Sequence, residues 1–140
     1  MFLTQIIYTS TATEDFEPKS IPDILELATK YNSKHDITGM LCFSRKYFLQ
    51  CLEGSRTNVN QLYHKILNDK RHHNIVLLDY KEISEREFSD WSMAYVPESS
   101  ITNPINLKFS GNSLFDPYKM SGESAHRLML EFQHKLTLVN

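Results

Sequence analysis

The chain has 140 residues, 41% of them hydrophobic, which is enough for one domain with a real core. Its formal charge of −2 offers no electrostatic basis for binding nucleic acid. No apolar run approaches the roughly 20 residues needed to span a membrane. No export signal opens the chain, and Cys42 and Cys51 lie in apolar strand-like segments as reduced, packed thiols. The expected compartment is therefore the cytoplasm.

Residues 3–10 are rich in β-branched and aromatic side chains and are predicted as a first strand. A polar loop over 11–19 follows. Ser20 then stands as the cap of a helix, with Asp23 three residues on and Pro22 in the first turn. Ile24, Leu27, Ala28 and Tyr31 recur at helical spacing as its buried stripe, and Asn32-Ser33 ends it. Residues 37–43 and 47–52 form a hairpin about Ser44-Arg45-Lys46, broken off by Glu53-Gly54. Val59, Leu62, Tyr63, Ile66 and Leu67 mark a second helix that ends near Asn68-Asp69. Residues 75–83 are predicted as a fourth strand and 91–96 as a fifth.

This βαββαββ order is the ferredoxin-like, split βαβ pattern: an α+β mixed sheet with two helices side by side on one face. The groove between those helices is a natural ligand site. After Pro97 a loose stretch carrying Pro104 and Pro117 leads to an amphipathic helix over 121–139, striped by Ala125, Leu128, Met129, Phe132 and Leu136. The chain divides into residues 1–96 and a 97–140 appendage, expected to pack on the open sheet face or to offer an oligomer or partner surface.

Gln50 is polar in an otherwise apolar run, Tyr47-Phe48-Leu49-Gln50-Cys51-Leu52. On a strand it shares a face with Phe48 and Leu52. A buried carboxamide without partners costs about 1–3 kcal/mol, so it needs a partner in the protein or in a ligand. The plain alternative is a core glutamine tied to nearby backbone. Tyr8, inside the first strand, is the candidate partner, because a phenol buried under the helices must hydrogen-bond.

Taken together, five segments resemble the BLUF domain, a flavin-binding sensor of blue light. They are Ile7-Tyr8-Thr9-Ser10 with Asn32, Asp36-Ile37-Thr38-Gly39-Met40-Leu41-Cys42, Phe48-Leu49-Gln50-Cys51-Leu52-Glu53-Gly54, Asp69-Lys70-Arg71-His72-His73, and Trp91-Ser92-Met93. Leu107-Lys108-Phe109-Ser110-Gly111 and Met120 onward are similar to the tail of the short, single-domain PixD type. The resemblance implies a non-covalent FAD, with FMN or riboflavin as alternatives, between the two helices. Asn32 would bond the flavin ring, and Gln50 would bridge the ring and Tyr8. Light would move an electron and a proton from Tyr8; their return would leave Gln50 rearranged and the spectrum shifted slightly to the red. Lys65, Arg71 and His72 would meet the flavin side chain and any phosphate, and Asp69 the ribityl hydroxyls. Ile24 and Ile66 would be apolar walls, and Trp91 or Met93 would relay the signal. Tyr31 stands where relatives carry Asn or His, and Lys65 where they often carry Arg.

The resemblance also implies a photoreceptor without a catalytic output of its own, a homo-oligomer of ring-like form, and a response-regulator-like partner. Simpler readings stand beside each residue: core packing for Ile24, Ile66, Trp91 and Met93, and a solvated helix end for Lys65, Arg71 and His72. His72-His73 is no metal site, since adjacent residues rarely converge on one ion. Two other classes share the strand order. An RNA-binding module needs exposed aromatics and a basic-glycine-aromatic signature that is missing here. An acylphosphatase-like enzyme needs a phosphate-cradling loop, and residues 11–19 hold neither glycine nor arginine.

Overall fold

The computed structural model describes residues 2–139, and side chains through residue 136. The elements are β1 (Leu3–Ala12), α1 (Ile21–Lys34), β2 (Thr38–Ser44), β3 (Tyr47–Ser55), α2 (Arg56–Leu67), β4 (His72–Ile83), β5 (Ala94–Val96), α3 (Asn103–Phe109) and α4 (Gly122–Val139). One mixed sheet runs in the order β4-β1-β3-β2-β5. Only β2 and β5 pair in parallel; the other neighbours are antiparallel. This is the ferredoxin-like α+β arrangement expected from the element order.

Strand alternation sends two sets of side chains to opposite faces. Ile6, Tyr8, Leu41, Phe43, Phe48, Gln50 and Leu52 face α1 and α2, in two apolar clusters that include Ile21, Ile37 and Val59. Ile7, Met40, Cys42, Leu49 and Cys51 face the other way, where Ile101, Ile105, Phe115, Met120, Ala125, Leu128, Met129 and Phe132 of the tail cover them. The 97–140 segment thus shares a core with the sheet. It also covers the face that an RNA-binding module would present to bases.

Several local expectations fail for identifiable reasons. Ser20 does not cap α1. It closes a 3-10 turn over Pro18–Ser20 in helical backbone, with its hydroxyl on Glu17 O. Leu27 is 65% exposed. Ile21 and Asn32 are buried and Ile24, Leu25, Ala28 and Tyr31 half-buried on the inward side, and at 100° per residue Leu27 points a third of a turn from its centre. Glu53-Gly54 does not end β3, because the Glu53 side chain finds partners under the chain. The strand runs to Ser55, whose hydroxyl accepts from Asn58 N and caps α2. Gly39 is required by close approach: a Cβ there would lie 2.1 Å from Cys51 O. Asn103 to Phe109, read as loose, is α3, with a proline in its first turn.

The expected fifth strand shrinks to Ala94–Val96. Residues 84–93 instead form an irregular strap that crosses from one face of the sheet to the other. Trp91 and Met93 therefore do not share a face. Trp91 packs beside Phe88 in the tail-side core, and Met93 packs on the helix side. The turn of the chain at Ser92 is held by α1: Asn32 Nδ2 donates to Ser92 O at 2.8 Å, and the Ser33 and Ser92 hydroxyls lie 2.9 Å apart.

Candidate functional site: a slot between the two helices

A cleft opens between α1 and α2 with β1, β2 and β3 as its floor. Its free space is about 510 Å³, counting the part open to solvent. Apolar walls come from Phe16, Ile24, Ala28, Leu41, Phe48, Ile66 and Met93, and the polar lining from Tyr8, Gln50, Asp69, Arg71 and His72.

The floor is built by register. Tyr8 on β1 pairs directly with Gln50 on β3, so both side chains rise on the same face. Tyr8 OH donates to Gln50 Oε1. The other end of the carboxamide has a poorer partner: Gln50 Nε2 lies 3.6 Å from Met93 Sδ, a weak thioether acceptor. Gln50 is 8% exposed, so water does not serve that amide freely. Burial, then the neighbouring Tyr63 and Asp69, push the Tyr8 phenol far above its usual range, so it remains a neutral O–H donor. Tyr63 lies close by, with ring centroids 5.8 Å apart.

The mouth is built where α2 ends and β4 begins. Asp69 accepts from Arg71 N and Arg71 Nε, each at 2.9 Å. These bonds hold the Asp69 carboxyl below its usual range, against the opposing effect of its partial burial. His72 is tied on both sides, with Nε2 2.7 Å from Ile66 O and Nδ1 2.7 Å from Ser10 Oγ. A ring that donates through Nε2 to the carbonyl leaves Nδ1 to accept from the serine when neutral. His72 thereby fixes the end of α2 against β1.

The cleft brings together Tyr8, Ile24, Gln50, Ile66, Asp69, Arg71, His72 and Met93. It does not include Asn32, Lys65 or Trp91. Asn32 is 1% exposed and engaged with Ser92. Lys65 Nζ sits 4.5 Å above the Tyr31 ring, bridging α2 to α1. Phe16, Ala28, Leu41 and Phe48 line the cleft without having been singled out. Phe48 and Leu41 follow from strand parity with Gln50. Phe16, in a loop that reads as polar, reaches the site by packing on Phe43 and Phe48. Among the described residues no cluster of His, Cys, Asp or Glu could hold a metal ion.

A flat heterocycle with polar edges and a polar chain suits the chemistry of this slot: apolar walls, an amide donor met by a weak thioether acceptor at depth, and charge at the mouth. Comparison with known proteins agrees. Residues 3–94 match the family model described as BLUF, sensors of blue-light using FAD. The blue light- and temperature-regulated antirepressor BluF of Escherichia coli K12 is 40% identical over 80 residues, 56% of this chain and 20% of the relative. The photoactivated adenylate cyclase subunit beta of Euglena longa is 32% identical over 100 residues, 71% of this chain and 12% of that protein. The chain therefore spans a fifth or less of these curated relatives. Among solved structures, the photo-activated state of BlsA aligns over 92% of this chain and 93% of its own, at 31% identity and a TM-score of 0.84. The dark-state structure of BlrB, a BLUF protein, aligns over 93% and 96% at 26% identity and a TM-score of 0.75. The chain belongs to the BLUF family of flavin-binding blue-light sensors.

Proposed function

We propose that this chain senses blue light through a flavin held non-covalently between α1 and α2, and signals by changing its contacts with a partner protein. The observation that carries this reading is the donor end of Gln50. A buried amide N–H met only by a thioether wants a stronger acceptor, and the slot lies open beside it. When bound, the flavin supplies blue absorption, an electron-accepting excited state and acceptors at its ring edge.

Tyr8 is the electron and proton donor in this reading. Its O–H already lies on Gln50 Oε1, so the proton's first acceptor is in place. Gln50 is the switch: rotation or tautomerism exchanges its donor and acceptor ends, and each neighbour then meets the opposite polarity. Met93, beside Gln50 Nε2, is the first protein group to feel that exchange; Trp91 acts behind it by packing. Ile24 and Ile66 wall the ring, and Asp69, Arg71 and His72 take the ribityl chain and phosphate end. Asn32 meets the flavin ring with its second Nδ2 hydrogen or Oδ1 while it holds Ser92 O, and Lys65 turns from the Tyr31 ring to the flavin side chain. FAD is the cofactor favoured by the family description, with FMN and riboflavin as alternatives.

The deciding measurement is an absorption spectrum of purified protein in darkness and after blue light. An oxidised-flavin spectrum that moves slightly to the red and recovers in the dark is expected. A protein that stays colourless after incubation with FAD, FMN and riboflavin overturns the reading.

The working compartment in this reading is the cytoplasm; among the described residues no helix is long and apolar enough to cross a membrane. We read the chain as a ring-like homo-oligomer that meets a response-regulator-like partner through its 97–140 segment. Exposed Leu107 and Leu114 on that segment support a protein contact. Light scattering behind size exclusion is expected to give a multiple of the chain mass; a monomer at every concentration removes the oligomer.

A further inference from the structure

The strap of residues 84–93 is tied on both faces of the sheet by polar groups rather than by strand pairing. On β3, Glu53 is fully buried, and its carboxylate accepts from Glu87 N and Phe88 N, each at 2.9 Å. Gln5 Nε2 of β1 donates to Glu53 Oε2 at 2.8 Å and to Glu87 Oε1 at 3.0 Å. The same Glu87 oxygen lies 2.6 Å from His126 Nε2 on α4. Gln133, two turns along α4, donates to Glu87 O. Lys81 of β4 closes the far side, with Nζ 3.5 Å from His126 Nδ1 and 3.5 Å from Asp79 Oδ2. Glu87 thus touches β1 and α4 through its side chain and β3 and α4 through its backbone.

The rest of the strap leads to the slot. Beyond Glu87 and Phe88 come Trp91, packed under the tail, Ser92, held by Asn32, and Met93 beside Gln50. Five residues therefore separate the α4 contact at Glu87 from Met93, the side chain that meets Gln50. No apolar side chain could substitute for the tie. Dispersion contacts slide at low cost, whereas a carboxylate shared between an imidazole and an amide fixes direction as well as distance.

We propose that Glu87 is the coupling point between the light-sensing slot and α4: its carboxylate, shared by Gln5 and His126, makes α4 move with the strap that ends at Met93. The proposal rests on the photoreceptor reading for its trigger, but the mechanical link is independent of any flavin. His126 is a positioning residue, remote from the slot.

Amide hydrogen exchange tests both parts. In darkness, with or without flavin, His126→Ala is expected to raise exchange of residues 122–133 and of residues 86–90 together by about tenfold, the loss of one hydrogen bond to a charged group, while β1 and β3 are unchanged. Loosening of α4 alone overturns the link, whatever the flavin does. Under blue light the wild-type protein is expected to show an exchange change in α4 that His126→Ala lacks, although the variant's absorption still shifts to the red. A light effect on α4 that survives His126→Ala overturns the coupling; an absent red shift in the wild type overturns the photoreceptor reading instead. Glu87→Leu, which keeps side-chain bulk but removes the oxygen shared by Gln5 and His126, serves as the second variant. It is expected to reproduce the loss of the α4 response, and a full wild-type response in it rejects the role of the carboxylate.

Discussion

Replacing Tyr8 with phenylalanine is expected to leave flavin binding intact and to abolish the light-induced red shift. The ring fills the same space between Tyr63, His72 and the floor, so the slot keeps its shape. What disappears is the O–H donated to Gln50 Oε1. Without it no proton can follow an electron, and Gln50 has no reason to exchange its ends. Gln50→Leu removes the other half of the pair and leaves the Tyr8 hydroxyl buried without an acceptor, at a cost of about 1–3 kcal/mol. Both variants are expected to hold flavin and to show no shift, measured as a light-minus-dark absorption difference. Tyr8→Phe likewise leaves the buried Gln50 Oε1 without its donor, so both variants are expected to lose about 1–3 kcal/mol of stability. A wild-type shift in Tyr8→Phe rejects the donor role.

Glu53→Ala is expected to destabilise the protein by about 3–5 kcal/mol, since several buried donors lose an acceptor at about 1–3 kcal/mol each. A domain of this size has a total stability of about 5–15 kcal/mol, so the variant stands near unfolding. The reason is the number of donors that lose their acceptor at once: Gln5 Nε2, Glu87 N and Phe88 N, with Thr38 Oγ1 at 3.3 Å. Gln5 and Phe88 are fully buried, so their donors cannot turn to bulk water. Urea denaturation followed by circular dichroism measures the change. Glu53→Gln keeps one acceptor oxygen and is expected to fall between the two. A loss below about 1 kcal/mol in Glu53→Ala is the scale of a single ordinary hydrogen bond and means the strap is held by its apolar contacts instead.

Glu53 also illustrates what a local reading misses. Glu53-Gly54 carries the composition of a strand end, and nothing nearby in sequence announces a partner. The donors that hold its charge come from positions 34 and 35 residues further on and from β1. Leu27 is a smaller case. It fits helical spacing as well as Leu25 does, and only the placement of α1 on the sheet decides which of them is covered. The same holds for Trp91 and Met93. Alternation puts them on one face if the segment is extended. The hydrogen bond from Asn32 to Ser92 O bends the chain between them, and each goes to a different core.

By itself the sequence determined the order of elements through β5 and the two-helix face, and its motifs carried the family resemblance that made Tyr8 the candidate partner of Gln50. Those rest on periodicity, strand parity and short-range motifs, which are properties of neighbouring residues. The tertiary structure decided which rim residues enter the slot, that Met93 and not Trp91 meets Gln50, and how the 97–140 segment joins the sheet. It also revealed the carboxylates of Glu53 and Glu87 as the ties between β3, the strap and α4. Each of those depends on groups far apart in the chain meeting in a water-poor interior, where a charge is tolerable only because the fold delivers its partners.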